Sequence, residues 1–143
     1  MKPEEKPLGY WLRSLDRLIE NSFDEALASG GLSRRHWQLM DLLRAHPAHP
    51  TEIAESMWPF WGEGDPGPDE VVLALVRRGW AAHGQDGRLT LTLQGETARE
   101  EIGARVERIP RALTAGITTE EYGAVVDTLR RMADNLAKAD RPA

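Results

Sequence analysis

The chain has 143 residues, 41% of them apolar and 29% charged, a globular composition long enough for one buried core and too short for two independent ones. Eighteen basic against 23 acidic residues leave a net charge of −5, which runs against a generic nucleic-acid binder, and the absence of cysteine excludes disulfide and thiolate chemistry. No apolar run approaches a bilayer span, and the opening "MKPEEKPLGYW" has neither the apolar core nor the cleavage site of a secretory signal, so a cytoplasmic protein without membrane contacts is expected.

Leu8, Trp11, Leu12, Leu15, Leu18, Ile19, Phe23, Ala26 and Leu27 recur at helical spacing until Gly30 and Gly31, predicting a long amphipathic first helix. Ser33 caps a second, "SRRHWQLMDLLRAH", which Pro47 ends, and "HPAHP" reads as a stiff connector. Thr51 is placed to cap a short third helix, "TEIAESMW", with Ile53, Ala54 and Met57 inward. Pro68 starts a fourth, "PDEVVLALVRR", buried through Val71, Val72, Leu75 and Val76 and closed by Gly79. The period then changes: Trp80 to Ala82 and Arg88 to Thr92 flank the turn formers Asp86 and Gly87, predicting a small antiparallel hairpin. Thr92 caps a further helix in which Gly95, Gly103 and Pro110 suggest irregularity or a kink. Thr118 with Glu121 makes a capping box for a last helix striped by Tyr122, Val125, Val126, Leu129, Met132 and Leu136. Trp37 and Trp80 are assigned to the core.

Two short helices joined by a turn and followed by a hairpin form a winged helix-turn-helix, whose second helix ordinarily lies in the DNA major groove. The striped first and last helices exceed what so small a core can cover, which favours a two-fold homodimer over a compact monomeric bundle. The segments "GLSRRHWQLMDLL", "TEIAESM", "VVLALVRRGWA", "GRLTLTLQGETARE" and "GITTEEYGAVVDTLRRMADNL" stand in the order and spacing of the MarR family of bacterial transcriptional regulators, and the chain resembles that family over nearly its whole length. The resemblance implies a mainly α fold with a small β-hairpin. It implies one domain over 1–143, with dimerisation helices at 8–29 and 118–137, a winged helix-turn-helix lobe at 33–92 and a connecting helix at 93–115. It also implies a homodimer that binds double-stranded DNA and holds a small ligand between dimer helices and lobes.

The chain departs from that pattern where DNA would be read. Asp69, Glu70, Leu73 and Ala74 are the expected solvent face of the fourth helix, and none is a usual guanine or adenine reader. Between Thr51 and Thr92, Glu52, Glu55, Glu63, Asp65, Asp69, Glu70 and Asp86 face only Arg77, Arg78 and Arg88, which should weaken phosphate binding. The turn "SMWPFWGEGDPGPDEVV" is also longer than the family's usual few residues. Arg88 near the wing tip is the first candidate for a DNA contact, with Arg77, Arg78 and Thr51 beside it; the competing reading has the arginines solvated or paired with acids.

Other chemistry finds little support. The carboxylates of Glu63, Asp65, Asp69 and Glu70 lack the ladder of a calcium loop, "GEGDPG" lacks the lysine and hydroxyl of a phosphate cradle, and His36, His46, His49 and His83 form no zinc set. No nucleophile motif is present, so neither an enzyme nor a cofactor is expected. Trp11, Trp58 and Trp61 are candidates for a pocket taking a small aromatic ligand, against the alternative of plain packing. Two functions follow: a dimeric, ligand-responsive DNA-binding regulator, or a winged-helix dimer with weak or lost DNA binding that acts as a protein-interaction or ligand-binding module.

Overall fold

The computed structural model describes residues 5–57 and 66–140. The chain divides into two compact units, Met1–Ile109 and Pro110–Ala143. In the first, α1 (Leu8–Leu27) runs through a 3-10 turn (Ala28–Gly30) into α2 (Arg34–Ala45), α3 (Pro50–Met57) and α4 (Pro68–Arg77). The hairpin β1 (Ala81–His83) and β2 (Leu89–Leu91) follows, then α5 (Leu93–Val106) and α6 (Arg108–Leu113), which crosses the boundary between the units; α7 (Thr119–Ala139) lies in the second. This is the mainly helical, single-hairpin order that the periodicity predicts. Among the described residues no helix is long and apolar enough to cross a membrane.

The first unit's core is drawn from the apolar sides of its α-helices and hairpin: Leu27 of α1, Leu39 and Met40 of α2, Ile53 of α3, Val71 and Leu75 of α4 and Leu89 of β2 are all buried. Trp37 and Trp80 pack against this cluster half-buried, rather than lying inside it. Helix α1 is divided along its length. Its last turns enter the core through Ala26 and Leu27, while Leu8, Trp11, Leu12, Leu15 and Leu18 remain exposed. Arg34 fastens α2 to α1 by ion pairs to Glu20 (2.9 Å) and Asp16 (3.3 Å), and its guanidinium lies over the Phe23 ring.

Local chemistry corrects the expectation in several places. Helix α3 starts at Pro50, one residue before Thr51: the His49 carbonyl accepts from Ile53 N–H (3.1 Å) and the His49 N–H donates to Glu52 Oε1 (3.2 Å). Proline suits the first helical position because its missing donor is not needed there. Thr51 therefore sits within the first turn instead of capping it. Ala54 is exposed, only Ile53 and Met57 of α3 being buried. The connector "HPAHP" contributes Ala48, fully buried, which bridges β2 by exchanging both backbone hydrogen bonds with Leu89 (3.1 and 2.8 Å).

Helix α5 passes unbroken through Gly95 and Gly103. Its N-cap is Thr92, whose hydroxyl accepts from Gly95 N–H (3.0 Å) and donates to the Gly79 carbonyl (2.6 Å). The break comes at Glu107, where Pro110 lacks the N–H that would bond Val106 and its ring crowds that carbonyl. In the second unit α7 begins with the predicted capping box, Thr118 Oγ1 accepting from Glu121 N–H and Glu121 accepting from Thr118 N–H, both at 3.0 Å. Tyr122, Val125, Val126, Met132 and Leu136 are exposed along it.

Candidate nucleic-acid interface

Helix α4 carries its own reasons for beginning with acids. Gly67 precedes Pro68 at the first position, and Asp69 and Glu70 lie in the first turn, where carboxylates stabilise the positive end of the helix dipole. Glu70, Leu73 and Arg77 follow one another at helical spacing, and all three are exposed; Ala74, expected on the same face, is half-buried. Arg77 is unpaired among the described residues, in the last turn of α4. Thus one edge of α4 presents a carboxylate, an isobutyl group and a guanidinium that has no partner among the described residues.

Arg78 behaves differently from its neighbour. Its guanidinium donates to the Gly30 carbonyl (2.9 Å), which closes the 3-10 turn after α1, and lies 5.1 Å from the centre of the Trp80 ring. It thereby clasps the end of α4 to the end of α1. Beside it His36 completes the α2 cap: Ser33 N–H donates to His36 Nδ1 (3.0 Å), with Ser33 Oγ 2.9 Å from the same nitrogen. Burial, and then the Arg78 charge, hold the His36 pKa below its ordinary value.

The wing is a tight hairpin in register Ala81 with Leu91, Ala82 with Thr90 and His83 with Leu89. Gly87 adopts positive φ (80°), and Gly84 and Arg88 close a three-residue loop through Gly84 N–H to the Arg88 carbonyl (2.8 Å). Arg88 thus stands at the foot of the loop, half-exposed. Its Nε donates to His49 Nε2 (3.3 Å) and lies 3.6 Å from Asp86 Oδ2. Since His49 precedes Pro50, the wing arginine and the start of α3, where Thr51 is exposed, come together. Neither the Arg88–His49 contact nor the Ala48 bridge was expected from sequence, in which "HPAHP" reads only as a stiff connector.

An apolar groove of about 480 Å³ lies between α3, α4 and the wing, with Ile53, Ala54, Val72, Val76 and Leu89 in its walls and Asp69 and His83 at its margins. Trp11 does not line it; it is exposed on α1, edge-on to Tyr10 with ring centres 5.0 Å apart, and Lys6 lies over both rings. Trp58 and Trp61, and with them Glu63, Asp65 and most of the long turn, lie outside the described residues. Among the described residues no group of three or more histidines or carboxylates is placed to hold a metal ion.

No protein-family model matches the sequence and no curated protein matches it. Solved structures do resemble this fold. Bordetella bronchiseptica BpsR, whose DNA binding is regulated by 6-hydroxynicotinic acid, superposes with a TM-score of 0.71 at 19% identity, over 94% of this chain and 98% of BpsR. A MarR-family transcriptional regulator from Rhodococcus sp. RHA1 gives 0.71 at 21% identity, over 88% and 93%. A Mycobacterium tuberculosis MarR-family protein solved in complex with DNA gives 0.66 at 21% identity, over 89% and 98%. At these identities the likeness is one of fold.

Proposed function

We propose that this chain, whose fold is that of the MarR-family winged helix-turn-helix regulators, works as a homodimeric transcriptional regulator that binds a pseudo-palindromic DNA operator and responds to a small aromatic ligand. The observation that carries the reading is the groove where α3, α4 and the wing meet, with Arg88 of the wing beside His49 at the start of α3, on a fold that one neighbour uses in a complex with DNA. Arg88 contacts the minor groove or its flanking phosphates, Arg77 a phosphate beside α4, and the Thr51 hydroxyl a phosphate at the start of α3. Arg78 serves the same surface indirectly, by holding the end of α4 against Gly30.

Dimerisation is supported by the bare stripes of α1 and α7, which expose more large apolar groups than a monomer ordinarily leaves in water. A two-fold pair would set its two α4 helices against half-sites about one helical turn, roughly 34–36 Å, apart. Trp11, Trp58 and Trp61 remain the ligand candidates.

The exposed acids of α4 favour one rival: a winged-helix dimer that reads DNA weakly or not at all and works through protein or ligand contacts. Selection of bound sequences from a random duplex library, followed by titration across salt, separates the two. The operator reading requires an enriched motif and an affinity that falls steeply with salt. Absence of salt-dependent binding at low ionic strength would establish the rival.

A further inference from the structure

We propose that His49 is a positioning residue for the wing: its neutral imidazole accepts the Nε–H of Arg88 and aims that guanidinium outward, joining the start of α3 to the DNA contact. The inference rests on the operator-binding reading and adds to it a residue from outside the wing. The backbone brings the pair together. Ala48 and Leu89 form an antiparallel bridge with both hydrogen bonds made, so the next positions, His49 and Arg88, fall side by side, as the 3.3 Å Nε to Nε2 distance records.

Chemistry then fixes the roles. An arginine Nε can only donate, so His49 Nε2 must offer its lone pair and the ring proton must sit on Nδ1. The same Nε edge faces Asp86 Oδ2 at 3.6 Å, while Asp86 Oδ1 accepts the Arg88 backbone N–H at 3.0 Å. Both contacts take the inner edge of the guanidinium. The two terminal nitrogens make no hydrogen bond among the described residues, and a fork of that geometry suits a phosphate or a base edge. His49 is itself held, its N–H donating to Glu52 and its carbonyl accepting from Ile53. A flexible arginine is thereby ordered before DNA arrives, and less freedom is lost on binding.

The test compares wild type, H49A, H49Q, R88A and H49A/R88A, with thermal unfolding as the folding control and fluorescence anisotropy on the library-selected duplex as readout. H49A should bind about 3- to 10-fold more weakly, the freedom of one long side chain. H49Q, whose amide oxygen reaches the position of Nε2, should restore most of the loss. In the R88A background H49A should change nothing further. Without DNA, the Arg88 Nε–H resonance should be protected from exchange in wild type and H49Q and unprotected in H49A. Equal binding by H49A, failure of H49Q to rescue, a loss that persists in the R88A background, or an unprotected wild-type resonance would each overturn the positioning role. Failure of wild type to bind any duplex would overturn the operator reading and the positioning role together, whereas normal wild-type binding with an indifferent H49A removes the positioning role alone.

Discussion

Gly95→Ala should destabilise this protein, although α5 is a helix and alanine is ordinarily the better helix former. A Cβ built at Gly95 would lie 2.0 Å from the Trp80 carbonyl oxygen, 2.9 Å from that carbonyl carbon and 2.8 Å from Leu91 Cδ1. Two of these atoms are backbone, so a rotamer change cannot relieve the crowding. The Trp80 oxygen also accepts the Thr92 N–H at 2.9 Å, and separating Cβ from it by the required ~1 Å or more would break that bond. Overpacking of this kind costs about 1–3 kcal/mol, the broken hydrogen bond about 1 kcal/mol, and alanine returns about 1 kcal/mol of helix propensity. The net is about 2 kcal/mol, or about 8 °C in Tm for a chain of this size.

Gly103→Ala is the matched control. Its Cβ would meet Trp37 at 3.5 Å, ordinary contact, so only the propensity gain of about 1 kcal/mol applies and Tm should rise by a few degrees. Calorimetry at fixed protomer concentration measures both, and spectra of the folded variants establish that each reaches the native state. If Gly95→Ala unfolds at or above the wild-type temperature, the close approach of α5 to the wing base is wrong.

Stability should also depend on pH through His36. Burial and Arg78 lower its folded pKa below the unfolded 6.5, so protonation favours the unfolded chain: this contribution is complete above about 6.5 and is lost as pH falls through the folded value. Urea titrations of wild type and H36Q from neutral to mildly acid pH should diverge below that point, the variant being flatter, and parallel curves would refute the assignment. V126E on α7 should convert a dimer into a 16.0 kDa species in sedimentation velocity, unless the stripe has no partner. T118A removes the hydroxyl that caps α7 and should cost about 1 kcal/mol, read as reduced amide protection in its first turn. R88A should flatten the salt dependence of duplex binding by about one logarithmic unit per protomer, whereas R78A should act mainly on thermal stability because its partners are Gly30 and Trp80.

Where backbone chemistry is local, the sequence is a good guide. Ser33, Thr92 and Thr118 cap the helices their spacing predicts, and Gly79 and Gly87 take the positive φ their turns need. What escaped the sequence depends on partners distant along the chain. Gly95 looked like a flaw in a helix, because its neighbour Trp80 is brought near only by the hairpin. Arg77 and Arg78 are adjacent and chemically identical, yet among the described residues one has no partner and the other grips a carbonyl 48 residues away. Composition reads the acids of α4 as repulsion toward DNA, while their place in the first turn gives them a stabilising local duty as well. The tryptophan cluster was legible only as a possibility of chemistry: Trp11 is on the surface of α1, and its suggested companions fall outside the described residues.

The division of α1 has a mechanical consequence. Its 20 residues make a rod about 30 Å long, gripped at one end by the core through Ala26 and Leu27 and bare at the other from Leu8 to Leu18. A rod held this way is a lever arm. In the proposed dimer, where a partner would hold the bare end, a tilt of about 5° about that end would carry the gripped end about 3 Å, comparable to the spacing that separates a made phosphate contact from a lost one. The clasp of Arg78 on Gly30 lies at the gripped end, so a small rotation among the apolar turns of α1 would arrive directly at the foot of α4.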